Sequence, residues 1–225
     1  CMTKRTPVRD CGETIAPGES ARPFARSVVS DALSRASSVE LQPSLDAVGT
    51  PASSGHWIVV DLETTGLGAG AEITEIGAVR VHDGAVADEF SSLVKPSRPI
   101  PPFITSLTGI TPAMVAGADP IAVVLGRFMD WSGLGCEGSP VLVAHNATFD
   151  VGFLRRGARA SSLPWPRVRV VDTLALARLA LPRPLVRNHK LGTIASYFGT
   201  ATVPEHRALG DARATAEILL GFIDL

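Results

Sequence analysis

The chain has 225 residues, 45% of them hydrophobic, and a formal net charge of -1. This length allows one domain of roughly 170 residues with a sizeable core. No apolar run reaches the roughly 18 residues that a membrane span needs, and the amino terminus lacks the apolar core of a secretory signal. The three cysteines are odd in number, so no disulfide framework is implied and a reducing cytoplasm is expected.

The amino-terminal part differs in composition from the rest. Residues 1–54 mix Pro, Ser, Ala, Gly and scattered charges, and the stretch at 49–55 reads as a linker. A short helix is expected around residues 25–38. The Arg and Ser content is also typical of an organellar transit peptide, but three acidic residues count against that reading: Asp10, Glu13 and Glu19. We expect a disordered or linker extension at 1–54, followed by one domain at 55–225.

Regular elements begin at Trp57. Strands are predicted at 57–62, 73–81 and 85–94, and Asp83-Gly84 between the last two is a strong hairpin signal. Three strands with short connections form an antiparallel meander. After them, residues 101–134 are predicted to be helices broken by Gly and Pro.

The second half alternates strands and helices. Further strands are predicted at 140–144 and 168–171, and helices at 151–159, 173–181, 191–198 and 212–223. Strands that follow a helix usually enter the sheet parallel to the first strand. The predicted fold is therefore α/β, with a mixed five-stranded sheet flanked by helices.

Two acids stand one residue apart at the end of the first predicted strand. Because a strand alternates its faces, Asp61 and Glu63 project to the same side, where their carboxylates repel unless a cation lies between them. Asp61 could instead cap the following turn, but a cap does not explain Glu63 beside it. The pair therefore predicts a site for a divalent metal ion.

Two further acids could complete such a site. Asp150 could be the N-cap of the helix predicted from Val151, and Asp211 could simply favour the dipole of the last helix. Ligation by oxygen alone suits Mg²⁺ or Mn²⁺ rather than zinc. Four acids make a site for two ions conceivable, with the ions roughly 4 Å apart, a geometry that hydrolyses phosphodiesters.

Three ordered segments carry a resemblance to a known family: DLETTGL at 61–67, HNATFD at 145–150 and HRALGDA at 206–212. They resemble the exonuclease motifs of the DEDDh family of 3′-to-5′ exonucleases, which includes the proofreading epsilon subunit of bacterial DNA polymerase III. The resemblance covers residues 57 to about 224. It implies the ribonuclease-H-like architecture, which agrees with the mixed sheet predicted above.

The resemblance also implies roles for residues. His206, five residues before Asp211, corresponds to the general base of the family. Asp61, Glu63 and Asp211 would hold one metal ion, and Asp61 would bridge to a second ion supported by Asp150. A sister branch places a tyrosine four residues before the last acid. That position is Arg207 here, which excludes the tyrosine branch.

Substrate contacts are expected around the same motifs. Four residues follow the acidic pair and would form the pocket for the terminal nucleotide: Thr64, Thr65, Gly66 and Leu67. His145 and Asn146 would either contact substrate or tie the strand end to its neighbours. Phe149 is a further candidate for substrate binding, although a core position suits it better.

Basic residues concentrate between positions 155 and 190, where Asp172 is the only acid. They form a predicted basic arm that comprises Arg155, Arg156, Arg159, Arg167, Arg169, Arg178, Arg183, Arg187 and Lys190. Such an arm beside an acidic site would hold phosphates. For any single arginine, a solvated helical surface is an equally good reading.

The sequence therefore predicts an exonuclease that acts on nucleic acid with a free 3′ end. It would release nucleoside 5′-monophosphates from single-stranded DNA in proofreading or repair. An RNA-trimming exoribonuclease and an inactive nucleic-acid-binding module are the alternatives, but a module would not require all five metal and base positions. The segments ITEIGAVRV, LTGIT at 107–111 and HRALGDARAT also resemble the exonuclease part of bacterial proteins in which an endonuclease domain follows. A DNA polymerase or a fused or associated repair nuclease is the expected partner, although no polymerase-binding tail is expected in a chain that stops at Leu225.

Overall fold

The computed structural model describes residues 52–136 and 138–225. The predicted extension at 1–54, including the helix expected at 25–38, lies outside the described residues except for its end. There, Ala52–Ser54 form a short 3-10 helix. Within the described part of the chain, no helix is both long enough and apolar enough to cross a membrane.

The centre of the fold is one mixed sheet of five strands. The strands are β1 (His56–Thr64), β2 (Ile73–His82), β3 (Ala85–Leu93), β4 (Val141–Ala144) and β5 (Val170–Asp172). Their order across the sheet is β3-β2-β1-β4-β5. β1, β2 and β3 pair antiparallel, whereas β4 lies parallel to β1 and β5 parallel to β4. The predicted α/β class, the meander and the mixed five-stranded sheet are confirmed.

Seven helices surround the sheet in the described residues. They are α1 (Pro102–Thr108), α2 (Pro112–Ala116), α3 (Ile121–Ser132), α4 (Ala147–Ala160), α5 (Thr173–Ala180), α6 (Leu191–Phe198) and α7 (Ala208–Ile223). Between β2 and β3, Asp83 and Gly84 both have positive φ, of 48° and 74°. Such a pair suits a two-residue hairpin turn and matches the right-handed twist of the strands it joins.

β1 carries the site because it is central and its two faces meet different helices. Ile58, Val60 and Leu62 pack into the core beneath α3 and α4. Val59 faces the opposite layer, where alanines of α7 allow that helix to lie close to the sheet. By the alternation of the strand, Asp61 and Glu63 share the face of Val59 and so point towards α7.

Two helices begin four residues earlier than the sequence predicted. α4 starts at Ala147 rather than Val151, and α7 starts at Ala208 rather than Ala212. The prediction that Asp150 caps α4 is therefore wrong, because Asn146 is the N-cap residue and Asp150 lies in the first turn. In each case the first turn contains an acid on an inward-facing position, which interrupts the apolar period used to locate the helix.

Candidate active site

Four acidic side chains come from three elements that meet at the carboxyl end of β1. Asp61 and Glu63 lie on β1, Asp150 lies in the first turn of α4, and Asp211 lies in the first turn of α7. Asp150 is 3% exposed and Asp211 is 6% exposed. Polar groups at this depth are normally paired, so a cluster of acids here requires a specific reason.

Backbone groups hold two of these acids in place. The N–H of Leu62 donates to the carboxylate of Asp150, which links α4 to β1. The N–H of Glu205 donates to Oδ1 of Asp211 at 3.0 Å. The second bond also fixes the start of the segment that carries His206.

His206 lies beside two of the acids. Glu63, His206 and Asp211 each offer one ligand atom, and these three atoms lie within 4.8 Å of one another. His206 is exposed and has a φ of 56°, a left-handed conformation in which histidine is enriched several-fold over most residues. Its imidazole therefore reaches the acid cluster while remaining open to solvent.

The electrostatics of the cluster disfavour four negative charges at once. Burial, followed by repulsion from Asp150, raises the pKa of Asp61 well above its ordinary value. Burial and then Asp211 raise the pKa of Glu63 to about 8. Burial raises the pKa of Asp150 to about 8, and burial also raises the pKa of Asp211. Without a cation, much of the cluster stays protonated at neutral pH.

These observations fit a divalent metal ion. Every acid of the cluster offers carboxylate oxygens, the donors that hard divalent cations prefer, and the repulsion that raises these pKa values becomes attraction once a cation is bound. Thiol ligands are missing from this end of the sheet among the described residues: Cys136, the one cysteine described, is exposed on the segment after α3. The donor set therefore resembles a magnesium or manganese site more closely than a zinc site.

A fifth acid, Glu75, was missed in the sequence. It lies on β2 directly opposite Glu63 and is 2% exposed. Its carboxylate accepts from Nη2 of Arg207 at 2.7 Å, from Nε of Arg207 at 3.1 Å and from the N–H of Ala208 at 3.0 Å. The signal that could have revealed it is a single acid inside an otherwise apolar strand, ITEIGAVRV.

The segment after β1 is shaped by its own hydrogen bonds. Oγ1 of Thr64 donates to the carbonyl of Gly66 at 2.8 Å, and the N–H of Thr65 donates to the carbonyl of Glu72 at 2.8 Å. The N–H of Glu72 in turn donates to Oγ1 of Thr65 at 2.9 Å. Gly66 has a φ of 148°, which favours glycine, and Leu67 is 86% exposed. An apolar side chain is thus presented to solvent next to the acids.

The residues of the second motif have different surroundings. Nε2 of His145 donates to the carbonyl of His189 at 2.9 Å, and Nδ1 lies 3.0 Å from Oγ1 of Thr173. Burial lowers the pKa of His145, which keeps the ring neutral for these two bonds. These two bonds favour the prediction that His145 ties the end of β4 to its neighbours over direct contact between His145 and substrate.

The other two candidates near this motif divide between surface and core. Asn146 is exposed and left-handed, and its N–H donates to Oδ1 of Asp172 at 2.9 Å. Phe149 is half-buried, and its ring lies 4.7 Å from the ring of Phe153. Phe149 thus belongs mostly to the core, at its edge, where one part of the ring remains accessible.

The nine cations of the predicted basic arm are all exposed. They do not form one surface. Arg178, Arg183 and Lys190 line a cavity of about 450 Å³ beside His145. Arg156 and Arg159 line a larger cavity on α4. Of the others, Arg155 lies on α4, Arg167 and Arg169 lie between α4 and β5, and Arg187 lies between α5 and α6.

Comparison with known proteins identifies the family of the chain. Residues 58–219 match the protein-family model described as Exonuclease (RNase_T). A Mycobacterium tuberculosis protein named as a bifunctional exonuclease/endonuclease is 48% identical over 175 residues, which cover 75% of this chain and 26% of that protein. A PolC-type DNA polymerase III of Listeria monocytogenes is 42% identical over 161 residues, which cover 71% of this chain and 11% of the polymerase. The chain spans only a small part of either relative.

Solved structures show the same fold. Exonuclease X, in complex with 5′ overhanging duplex DNA, is 30% identical with a TM-score of 0.58, and the match covers 75% of this chain and 91% of that one. The nuclease domain of 3′hExo, a DEDDh family member bound to rAMP, has a TM-score of 0.64 at 23% identity and covers 74% of this chain and 90% of that one. The predicted resemblance is confirmed, and the chain belongs to the exonuclease family, with the ribonuclease-H-like fold of the DEDDh 3′-to-5′ exonucleases.

Proposed function

We propose that this domain is a two-metal 3′-to-5′ exonuclease that removes nucleotides from single-stranded DNA and releases nucleoside 5′-monophosphates. One observation carries the proposal: Asp61, Glu63, Asp150 and Asp211 converge at the end of β1, with the imidazole of His206 beside them. We propose DNA rather than RNA as the substrate because Exonuclease X, which is 30% identical to this chain, was solved in complex with DNA.

The four acids would hold two divalent cations, Mg²⁺ or Mn²⁺. Glu63 and Asp211 lie close enough to share one ion, and Asp61 interacts electrostatically with all three other acids, as a bridging ligand would. When bound, such ions neutralise the carboxylates, polarise the scissile phosphate and lower the pKa of the attacking water. Glu75 would not hold an ion, because its carboxylate is already paired with the guanidinium of Arg207.

His206 would act as the general base. A water oxygen attacks the terminal phosphorus while the proton of that water passes to the imidazole. The bond between phosphorus and the 3′ oxygen of the penultimate nucleotide breaks, that oxygen takes up a proton from solvent water, and the terminal nucleotide leaves as its 5′-monophosphate. Because His206 is exposed, it can return its proton to solvent before the next cycle.

The segment Thr64 to Leu67 would bind the terminal nucleotide. Gly66 has no side chain, so the backbone of this segment can approach a sugar or base closely. No atom lies within 4 Å of the place where a Cβ on Gly66 would be, which leaves room for a ligand. Leu67 would pack against the last base and hold it away from its neighbour.

We also propose that the domain works in the cytoplasm, in DNA proofreading or repair, beside a DNA polymerase or a second nuclease. The support is that 42% and 48% identical segments occur within a PolC-type polymerase and within a protein named as an exonuclease/endonuclease. Addition of a polymerase to the assay would raise the rate of removal of a mismatched 3′ end if the association holds. An unchanged rate with every polymerase tried would count against it.

The activity is tested with 5′-labelled single-stranded DNA and RNA in Mg²⁺ or Mn²⁺. Stepwise shortening from the 3′ end is expected, and Asp61→Ala and His206→Ala should abolish it. The matched controls are Asp130→Ala and His82→Ala, which alter an exposed acid on α3 and a half-buried histidine at the far end of β2. Shortening from the 5′ end, or activity that survives both site substitutions, would overturn the proposal. Faster digestion of RNA would favour the exoribonuclease alternative.

A further inference from the structure

A groove beside the acid cluster has no assigned role. It encloses a cavity of about 950 Å³ between α4, the loop from β1 to β2 and the segment after β3. Its floor is apolar, with contributions from Ile73, Val94, Ile121 and Phe153. This volume is at the upper end of the roughly 300–1,000 Å³ found for small-molecule pockets.

The groove adjoins the proposed active site, because residues on two of its walls neighbour the residues that carry the acids. On one side, Ile73 pairs with Thr64 at the end of β1, one residue after Glu63. On the other side, Phe153 lies one helical turn after Asp150 on α4. The groove therefore lies within a few residues of the acid cluster on both sides.

The charge of the groove is strongly positive. Four exposed cations line it: Lys95, Arg98, Arg156 and Arg159. Glu72 is the one acid of the lining, and Oγ of Ser97 donates to its carboxylate at 2.5 Å. The nearby Asp119 is paired with Arg127 at 2.5 Å and does not line the groove. Four cations above an apolar floor complement a chain of phosphates that carries bases.

One of these cations is fixed in position. The guanidinium of Arg156 lies over the ring of Phe153, 4.0 Å from its centroid, and Phe153 is 4% exposed. This contact places the planar guanidinium over the apolar floor, and Arg156 also lines the cavity. The planar group can receive a base by stacking or a phosphate by hydrogen bonds.

We infer that this groove binds the single-stranded nucleic acid upstream of the scissile bond. The inference rests on the proposed exonuclease function and extends it, because it assigns the nucleotides upstream of the penultimate one to Lys95, Arg98, Arg156 and Arg159. A dinucleotide would reach only the acid cluster. A longer strand would fill the groove as well, so affinity should rise with strand length.

The test compares a thymidine dinucleotide with a thymidine 12-mer. The readout is the ratio of kcat/KM for the 12-mer to kcat/KM for the dinucleotide. In the double variant Arg156→Ala/Arg159→Ala this ratio should fall roughly tenfold. The dependence of log KM on log salt for the 12-mer should weaken by about 1.4, since each lost phosphate contact with a single strand removes about 0.7.

Two control variants distinguish binding in the groove from a general effect of positive charge on the protein surface. Arg127→Ala/Arg213→Ala removes two exposed cations from α3 and α7, and it should leave the ratio unchanged. Arg155→Ala/Arg167→Ala removes two exposed cations of the basic arm that do not line the groove. If either control lowers the ratio as much as Arg156→Ala/Arg159→Ala does, a diffuse field rather than the groove holds the strand.

Each remaining outcome either supports or overturns the inference about the groove. A fall in the ratio in the groove variant alone supports the inference. An unchanged ratio in that variant, with the dinucleotide still cleaved, overturns the groove and leaves the exonuclease function standing. A change of oligomeric state in the groove variant, with no change in the ratio, would assign the groove to a second copy of the chain. Failure of the unaltered protein to cleave either substrate would overturn both proposals.

Discussion

Glu75 and Arg207 form a two-pronged ion pair between β2 and the start of α7, with N···O distances of 2.7 and 3.1 Å. Glu75 also accepts from the first N–H of α7, on Ala208, where the side chain of Arg207 supplies no cap. The pair therefore anchors the residue next to His206. Arg207 lowers the pKa of Glu63, but burial, Asp211 and Glu75 each raise it more.

Glu75→Gln should destabilise the protein and slow the reaction. The substitution leaves Arg207 without its charged partner, and breaking a buried pair costs about 3–5 kcal/mol. Because the side chain of Arg207 is 47% exposed, we expect the free energy of unfolding, measured in urea, to fall by about 1–3 kcal/mol. We also expect a lower kcat, because the residue next to His206 loses its anchor. Glu89→Gln is the matched control, since Glu89 makes the same two-pronged pair with Arg213 at an exposed position. Equal effects of the two substitutions would contradict a special role for Glu75.

Gly77→Ala should displace α7. Gly77 lies opposite Asp61 on β2, and a Cβ there would be 2.1 Å from the backbone N of Leu209 and 2.2 Å from the backbone C of Ala208. Since backbone atoms cannot turn aside, overpacking should cost about 1–3 kcal/mol of the free energy of unfolding, and Asp211 should shift with its helix. Gly126→Ala in α3, where no atom lies within 4 Å, should instead stabilise by about 0.5–1 kcal/mol. Thermal unfolding and activity of both variants check this prediction.

Without metal, the protein should lose stability as the pH rises. The pKa of Glu63 and that of Asp150 are each raised to about 8 in the folded state, from ordinary values of 4.5 and 3.8. Between the ordinary pKa and the raised pKa of each group, the folded state binds more protons than the unfolded state. The free energy of unfolding therefore falls as the pH rises through this range. The stability that these two groups contribute in their protonated form is complete below about pH 4 and is lost by about pH 8.

The measurement is the Tm between pH 5 and pH 8 in EDTA and in Mn²⁺. In EDTA the Tm should fall, and Mn²⁺ should reverse the fall because it binds the ionised carboxylates. Glu63→Gln/Asp150→Asn removes two of the four carboxyl groups with raised pKa values and should make the fall of the Tm in EDTA shallower. A Tm that falls equally in this double variant would assign the pH dependence to other groups.

Leu67→Ala should reduce activity without reducing stability. Leu67 is 86% exposed, so its truncation removes little buried area and should change the free energy of unfolding by less than about 0.5 kcal/mol. Fully burying a leucine side chain contributes about 1.5–3 kcal/mol, so even partial cover of Leu67 by the last base predicts a several-fold rise in KM for Leu67→Ala. Leu179→Ala on α5, where the leucine is 83% exposed, is the control and should leave KM unchanged. A KM for Leu67→Ala equal to that of the control would remove Leu67 from the nucleotide pocket.

The sequence predicted those parts of the fold that depend on local pattern. The period-two alternation in β1 places Asp61 and Glu63 on one face, and Asp83-Gly84 forms the turn predicted between β2 and β3. The starts of α4 and α7 were misplaced, because inward-facing Asp150 and Asp211 interrupt the apolar period that marks a helix.

The parts of the site that depend on strand register could not be predicted in the same way. Glu75 enters the site because antiparallel pairing sets it opposite Glu63, and its partner Arg207 lies 132 residues away in the chain. The position of His206 relative to Glu63 likewise depends on how α7 docks on β2, which no local pattern encodes. Sequence spacing alone indicated that His206 precedes Asp211 by five residues.

The central claim is that the four acids hold two divalent cations. Anomalous diffraction from crystals soaked in Mn²⁺ and a nucleoside 5′-monophosphate tests it most directly. The account predicts two manganese peaks among Asp61, Glu63, Asp150 and Asp211, roughly 4 Å apart, and the loss of both in Asp61→Asn. Crystals of the unaltered protein with no manganese peak among these four side chains would contradict the claim.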